Sequence, residues 1–495
     1  MPTLAVSAMD AVADAASRAA VPTAHPADRH LLSRFSYGVT PAMVTDMRAT
    51  GGSMPWLNRQ LTTSRRDGFA DSLLDWFPNM AYSPQVLWQR HQSGTYLGWM
   101  VMADLARWTL LRRIYSNNQV HEVMTDFWSN LLHVSAPADK PWPWRIRYDA
   151  MIRRHALGRF DDLLAAAITH PAMGCYLDNA ESTKTQPNEN LGRELLELHT
   201  VGVDAGYTED EVKQSALLLT GYRVDIRRTW NAWYSNTDHY TGRLSVMGFT
   251  DANSYPDGRV TTRRYLNYLA HHPLTARRIA RRLCVHFVSD DPSAALVTAV
   301  ADAYSASGTD IASTLRALVQ HPEFAASVGA KVRTPSEDAV ATYRALGVQA
   351  SRPTSDYSFA NAILYQTQAM GQRPFDWPRP DGFPDVAECW TGVSRVLNSF
   401  QTHFLQGGSH YPDQQVVFRT PASWLPKLPA SFGDVVDHVS RQLLARPANN
   451  TLTAAVSTRL GIAANTRIGS AADLPDWRMA RILSSLLDTP AHMTR

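Results

Sequence analysis

A mainly α-helical fold is predicted by three features of this 495-residue chain. Apolar residues recur at intervals of three and four over most of its length, which is the period of a helix with one buried face. β-branched and aromatic residues mixed with polar ones occupy one stretch, residues 222–250, where a small hairpin or an ordered excursion is expected. Two stretches rich in proline and glycine separate the helical segments, because proline removes backbone donors and restricts its neighbours.

The predicted elements follow in chain order. Residues 1–27 are rich in alanine and form a flexible lead-in. Thr40 before Pro41 marks a helix start, and Thr208 with Glu211 forms a capping box that begins another helix. Helical spacing of apolar residues predicts helices at 99–116, 119–132, 159–169, 189–201, 209–221, 273–288, 292–305, 310–320, 335–346, 430–447 and 472–488. Loops are predicted at 373–385 and 405–415.

The composition limits the classes of function. A hydrophobic content of 44% and a charged content of 19% are typical of a globular protein with a sizeable core. A formal net charge of +3 is small for this length and argues against nucleic acid as the main partner. No apolar stretch reaches the roughly 20 residues of a membrane span. The N-terminus lacks the basic cluster and apolar core of a signal peptide, so we expect a cytoplasmic protein unless a partner exports it.

Residues 188–211, NENLGRELLELHTVGVDAGYTEDE, concentrate groups that move protons or bind metals; we call them the signature segment. The segment resembles the motif of the bacterial domain-of-unknown-function 1800 family, N-E-N-x-x-R-E-x-x-E-L-H-x-x-G-V-x-x-G-Y-T. The resemblance continues in HLLSRFSYGVTPA (30–42), HPAMGCYLDN (170–179), LTGYRV (219–224) and HHPLTARRIARRLCVHFVSDDP (271–292). It covers roughly residues 28–405, which implies a family-like helical domain there and a closing helical segment at 406–495.

The chain departs from the family pattern in two places. Relatives read F-W-H-N-H-F where this chain has Ser129 and Leu131 at the histidine positions. Relatives tend to read H-D-x-G-x-K where this chain has HYTGR from His239 to Arg243, with Tyr240 in place of the aspartate. If those residues serve a metal or a proton transfer in relatives, this member has lost or rebuilt the site.

The first functional hypothesis is a hydrolase-type enzyme acting on a small-molecule or polymer substrate. At about 100° per residue, a helix groups Glu194 and Glu197 on one arc and places His199 opposite them. Two close carboxylates push their pKa values apart, as acid–base chemistry near neutral pH requires. We expect this pair to face a concave pocket. The other catalytic candidates are Arg193 and Asn190, as positioning groups, and Glu189 and His239, as helpers.

A different interpretation of the same helix stays open. Arg193 and Glu197 could form an exposed ion pair four residues apart, with Asn188 capping the helix. On the helix at 273–288, four basic residues are expected to form a solvated or salt-bridged face: Arg277, Arg278, Arg281 and Arg282.

The second hypothesis is a metal-dependent, redox-capable enzyme holding a divalent metal as its cofactor. The candidate ligands are His133, His239, Glu122 and Asp126, whose imidazole and carboxylate groups suit zinc, iron or manganese. Glu122, Asp126, Ser129 and His133 share one face of the predicted helix at 119–132, where the alternative is a solvent-exposed polar face.

The third hypothesis is a non-catalytic member of the fold that binds or assembles with a protein partner. The missing histidines favour this hypothesis over the metal enzyme, whereas the complete acidic signature favours the hydrolase.

Overall fold

A computed structural model describes residues 21–62 and 66–495 of the chain. Most of the predicted lead-in, residues 1–20, lies outside these ranges. The prediction of a mainly α-helical fold is confirmed. Within the described ranges the α-helices are α1 (Pro26–Arg34), α2 (Pro41–Ala49), α3 (Ser53–Thr62), α4 (Phe69–Ser72), α5 (Pro84–Gln92), α6 (Gly98–Tyr115), α7 (Gln119–Leu131), α8 (Trp142–His155), α9 (Phe160–Ile168), α10 (Pro171–Tyr176), α11 (Asn190–Glu194), α12 (Glu209–Leu218), α13 (Arg259–Ala270), α14 (Pro273–Phe287), α15 (Ala294–Ala306), α16 (Ile311–Gln320), α17 (Pro322–Ala326), α18 (Pro335–Leu346), α19 (Phe359–Ala369), α20 (Val393–Gly407), α21 (Phe432–Leu444), α22 (Asn450–Leu460), α23 (Asp476–Leu487) and α24 (Pro490–Met493).

Local sequence signals account for several helix starts. The Thr40 hydroxyl accepts a hydrogen bond from the backbone N–H of Met43 at 3.2 Å, and Pro41 occupies the first turn of α2. The capping box of Thr208 and Glu211 begins α12 as predicted. These caps satisfy backbone donors that the first turn of a helix leaves free.

The β structure is small. The predicted excursion contains two antiparallel hairpins, which pair β1 (Tyr222–Val224) with β2 (Ala232–Tyr234) and β3 (Leu244–Val246) with β4 (Phe249–Asp251). Two further two-residue pairs join distant segments: β5 (Gln349–Ala350) with β6 (Val416–Val417), and β7 (Ala430–Ser431) with β8 (Arg467–Ile468).

One hydrophobic core extends from the first described helices to the last. Leu32 and Phe35 of α1 belong to it, and so do Ile482 and Leu486 of α23. Helix α20 runs through residue 405, the predicted domain boundary, and packs against α23. No helix in the described ranges is both long and apolar enough to cross a membrane.

The signature helix differs from the prediction of one continuous α-helix over 189–201. Helix α11 changes after Glu194 into a π turn, Leu195–His199, which contains one residue more per turn. The Thr200 hydroxyl donates to the Leu195 carbonyl at 2.5 Å, and the Gly202 N–H donates to the Leu196 carbonyl at 2.9 Å. These bonds satisfy carbonyls at the end of the turn.

Gly192 sets the distance between α11 and α12. A Cβ at this position would lie 2.7 Å from the Ala216 nitrogen and 3.0 Å from the Ala216 Cα. The two backbones therefore touch at this point, and α12 in turn supplies Ser215, whose hydroxyl donates to the Gly192 carbonyl at 3.2 Å.

We expect Gly192→Ala to lower the free energy of unfolding by about 1–3 kcal/mol, because the added methyl overpacks a backbone contact. Denaturant unfolding of the purified variant measures this. Gly158→Ala is the control, since its Cβ would come no closer than 3.6 Å to the His155 carbonyl. Equal stability of Gly192→Ala and the native protein would contradict the packing argument.

Candidate functional site

The arginine of the signature segment is bound away from the carboxylate pair. Arg193 donates to Glu209 through Nη1 at 2.9 Å and Nη2 at 2.6 Å, and its Nη2 lies 3.4 Å from Glu189. The expectation that Arg193 directly holds Glu194 or Glu197 is therefore wrong, and so is the exposed Arg193–Glu197 pair. The reason is that Glu209, at the start of α12, offers both oxygens to the planar guanidinium.

Two other signature residues lie at the outer surface. Asn190 is exposed, and its side-chain amide lies 3.4 Å from an Asp178 carboxylate oxygen. Glu189 precedes α11, and its carboxylate lies 3.4 Å from Arg193. Asn188 accepts a hydrogen bond from the Asn190 N–H at 2.9 Å, but it lies one residue before the N-cap, which is Glu189 and makes no side-chain cap bond.

Glu194 and Glu197 form a different group within the same helix. Both side chains are half-buried, and neither has a hydrogen bond or ion pair with any residue that the structure describes. Burial raises the pKa of Glu194, the negative charge of Glu197 raises it further, and Asp381 adds to the effect. The surroundings of Glu194 thus favour its protonated form.

Asp381 is a third carboxylate of this site that the sequence interpretation did not single out. It comes from the proline-rich segment 373–385, where Trp377 Nε1 donates to it at 2.7 Å and Arg379 lies 3.1 Å away. Tyr176 donates to the Pro378 carbonyl at 3.1 Å. Burial raises the pKa of Tyr176 to about 12, and the charges of Asp381 and Glu194 contribute. The segment therefore lies beside the signature carboxylates.

The proline-rich segment is fixed to the end of α7 by Asn130. The Asn130 side chain donates to the Phe383 carbonyl at 2.8 Å and accepts from the Phe383 N–H at 2.7 Å. Gly382 has φ +72° and a Cβ there would lie 2.2 Å from the Asn130 carbonyl, so only glycine fits. His133 adds a third bond, donating from Nε2 to the Trp377 carbonyl at 2.8 Å.

His199 is fully buried at the end of the π turn. Its Nδ1 donates to the Leu131 carbonyl at 3.1 Å, and its Nε2 has no partner among the described residues. Burial lowers the pKa of His199 to about 4, so the ring is neutral at physiological pH.

The proposed metal ligands on and after α7 have other partners. Glu122 is buried between Arg112 at 2.8 Å and Arg153 at 2.7 Å. Burial opposes ionisation of Glu122, but Arg153 and Arg112 lower its pKa to about 2. Asp126 pairs with Arg113 and accepts from the Tyr37 hydroxyl at 3.2 Å.

The alternative of a solvent-exposed face on α7 is also wrong, because Glu122, Ser129 and His133 are buried. His239 makes contacts away from the signature segment: its Nδ1 donates to the Thr220 carbonyl at 2.9 Å, and its Nε2 lies 3.1 Å from Asn253 Oδ1. The four proposed metal ligands, Glu122, Asp126, His133 and His239, therefore do not form one metal site in the structure.

A histidine–carboxylate cluster that sequence analysis missed lies elsewhere. Asp338, His403 and His492 have potential ligand atoms within 4.8 Å of one another, and in the described ranges no other group meets this spacing. His403 donates from Nε2 to Asp338 at 3.1 Å and from Nδ1 to Asp488 at 2.9 Å. Burial opposes its charge, but Asp338 raises the pKa of His403 to about 9. Both ring nitrogens thus carry protons at neutral pH, and the cluster is an ion-pair network.

The fold and the site define a mainly helical protein with an acidic signature helix beside a pinned proline-rich segment. Residues 30–493 match the family described as protein of unknown function (DUF1800), and the chain belongs to that family. The match extends beyond residue 405, where the motifs recognised in the sequence ended. No curated protein and no solved structure matches the chain.

Glu194→Gln should raise the melting temperature at pH 8 and leave it unchanged at pH 4. The folded state disfavours the ionised carboxylate, so the native protein loses stability as pH rises through the raised pKa of Glu194, whereas glutamine stays neutral. The gain should not exceed about 1 kcal/mol, because the side chain remains half in water. Calorimetry at both pH values measures it, with Glu189→Gln as control. A destabilised Glu194→Gln protein at pH 8 would contradict the assignment.

The contribution of His403 to stability also falls with rising pH, but here the folded state favours the charged form. Its folded pKa of about 9 exceeds the ordinary value of 6.5, so its stabilising contribution is complete below pH 6.5 and is lost as pH rises through 9. His403→Gln should cost about 3–5 kcal/mol at pH 6, as breaking a buried ion pair does. Unfolding titrations from pH 6 to 10 test this, with the exposed His410→Gln as control. A pH-independent difference between His403→Gln and the native protein would refute the charged state.

Proposed function

We propose that the protein is a hydrolase-type acid–base enzyme in which Glu194 donates a proton and Glu197 accepts one. The observation that carries this proposal is the contrast within one helix. Glu189 and Glu209 share Arg193, whereas Glu194 and Glu197 are half-buried without a hydrogen bond or ion pair to a described residue. Carboxylates that stabilise a fold are normally paired when they leave water, so an unpaired couple is a candidate for chemistry.

The surroundings support different roles for the two carboxylates. Glu194 lies in the field of Glu197 and Asp381, which favours its protonated form. The charge of Glu197 raises the pKa values of Arg278 and Arg193, so both guanidinium groups lie near Glu197. The proposal therefore gives the proton-donating role to Glu194 and the accepting role to the carboxylate beside it.

The proposed reaction needs no group beyond this pair and water. Glu197 removes a proton from a water molecule as its oxygen attacks the substrate. The scissile bond breaks, and Glu194 transfers its proton to the leaving atom. Proton exchange with solvent then restores both carboxyl groups. Asp381 and Tyr176 border the site, since the charge of Asp381 raises the pKa of Glu194 and the charge of Glu194 raises the pKa of Tyr176.

Activity measurements on glycoside, ester, peptide and phosphate-ester substrates test this proposal. Glu194→Gln and Glu197→Gln should each lower kcat by a factor of about 10² or more, because a positioned acid or base contributes that much. Glu189→Gln is the matched control, since it alters the same segment outside the proposed pair, and its kcat should stay within about threefold of native.

Three results would overturn the proposal. The first is full activity of both glutamine variants on a substrate that the native protein hydrolyses. The second is no hydrolysis of any of these substrate classes by the folded protein. The third is activity that a chelator abolishes and a divalent metal restores, which would favour the metal-dependent alternative.

A further inference from the structure

Helix α14 carries four arginines that divide into an outer and an inner pair. Arg277 and Arg281 are exposed, and Arg281 lies 3.9 Å from Asp291. Arg278 and Arg282 are half-buried and lie one turn apart on the inner side. The expectation of a solvated or salt-bridged face therefore holds for the outer pair only.

Arg278 has a structural partner but no carboxylate within ion-pair distance among the residues that the structure describes. Its Nε donates to the Leu198 carbonyl at 3.1 Å, in the π turn of the signature helix. Its Nη1 lies 3.2 Å from the position of a Cβ on Gly202, which has φ +99°. Gly202 thus gives the guanidinium room to reach the end of the helix.

Arg282 has neither a hydrogen bond nor an ion pair with any residue in the described ranges. It lines a cavity of about 50 Å³ together with Asn130, His286 and Asp385. Both polar atoms of the Asn130 side chain already bind Phe383. Among these four cavity residues, Arg282 is therefore the one whose side-chain donors have no protein acceptor in the described ranges.

Each carboxylate in the cavity wall has its own cation. Asp126 pairs with Arg113, Glu337 lies 3.3 Å from Arg495, and Asp385 accepts from His286 Nδ1 at 2.5 Å. Asp385 also lies 3.5 Å from Lys331. These pairs leave Arg282 without a carboxylate within ion-pair distance among the described residues, although Asp385 and Asp381 favour its charge from farther away.

Burial and mutual repulsion disfavour the positive charges of Arg278 and Arg282. Burial lowers the pKa of Arg282, although Asp385 and Asp381 act in the opposite direction. Burial also lowers the pKa of Arg278, and the charge of Arg282 lowers it further. A bound anion would relieve both the desolvation and the repulsion between the two guanidinium groups.

We propose that the cavity at Arg282 binds a small carboxylate. A cavity of this size has room for roughly three to five water molecules, and a carboxylate has three heavy atoms. A singly charged carboxylate also meets less repulsion from the neighbouring acids than a doubly charged phosphate does. That this carboxylate belongs to the substrate rests on the proposed function; the binding itself does not.

Acetate is the probe for this site. At constant ionic strength and pH 7, acetate should raise the melting temperature of the native protein saturably, by roughly 2–4 °C at a hundred times its Kd. Arg282→Gln should abolish the acetate-dependent shift. Arg281→Gln should retain it, because Arg281 lies on the same helix but faces solvent. Arg282→Lys keeps the positive charge and should retain a weaker shift, so it also serves if the glutamine variant fails to fold.

The outcomes separate this inference from the proposed function. No saturable acetate effect, or an equal effect in Arg282→Gln, would overturn the anion site. A larger shift with inorganic phosphate than with acetate would overturn the choice of carboxylate. Glu194→Gln should still bind acetate. Acetate binding by a native protein that hydrolyses none of the test substrates would overturn the proposed function and leave the anion site standing.

Discussion

The pairing of the Asn130 amide with the Phe383 backbone is the contact on which the candidate site depends. Two hydrogen bonds fix a segment whose prolines prevent it from forming a regular helix. The segment then places Trp377 against His133, and it supplies Asp381 and Asp385 to two sides of the site. A primary amide suits this task, because it matches a backbone N–H and carbonyl simultaneously without adding charge.

Among the described residues, some charged side chains have several ion-pair partners and others have none. Arg193, Glu122 and Asp385 are each held by more than one oppositely charged partner. Glu194 and Arg282 have no such partner among the described residues, and burial disfavours the charged form of both. The charge of Asp381 acts on both, since it raises the pKa of Glu194 and favours the charged form of Arg282.

Local sequence signals predicted what depends on neighbours in the chain. The capping box of Thr208 and Glu211, the start at Pro41 and the hairpins within 222–250 all follow from short-range chemistry. Periodicity over five residues cannot separate a π turn from an α turn, so the environment of His199 was not predictable. Nor could spacing assign Glu209 to Arg193, or Arg153 to Glu122, since those partners lie 16 and 31 residues away.

The π turn accounts for one residue of the length of the signature helix. A π turn completes one rotation with one residue more than an α turn, so removing a single residue from 195–199 would restore regular pitch and keep the residues on either side in phase. The change would be confined to the wide turn itself, where the Leu198 carbonyl accepts from Arg278. Among relatives aligned over this helix, a one-residue gap would therefore mark the loss of the wide turn in a helix that keeps its other faces.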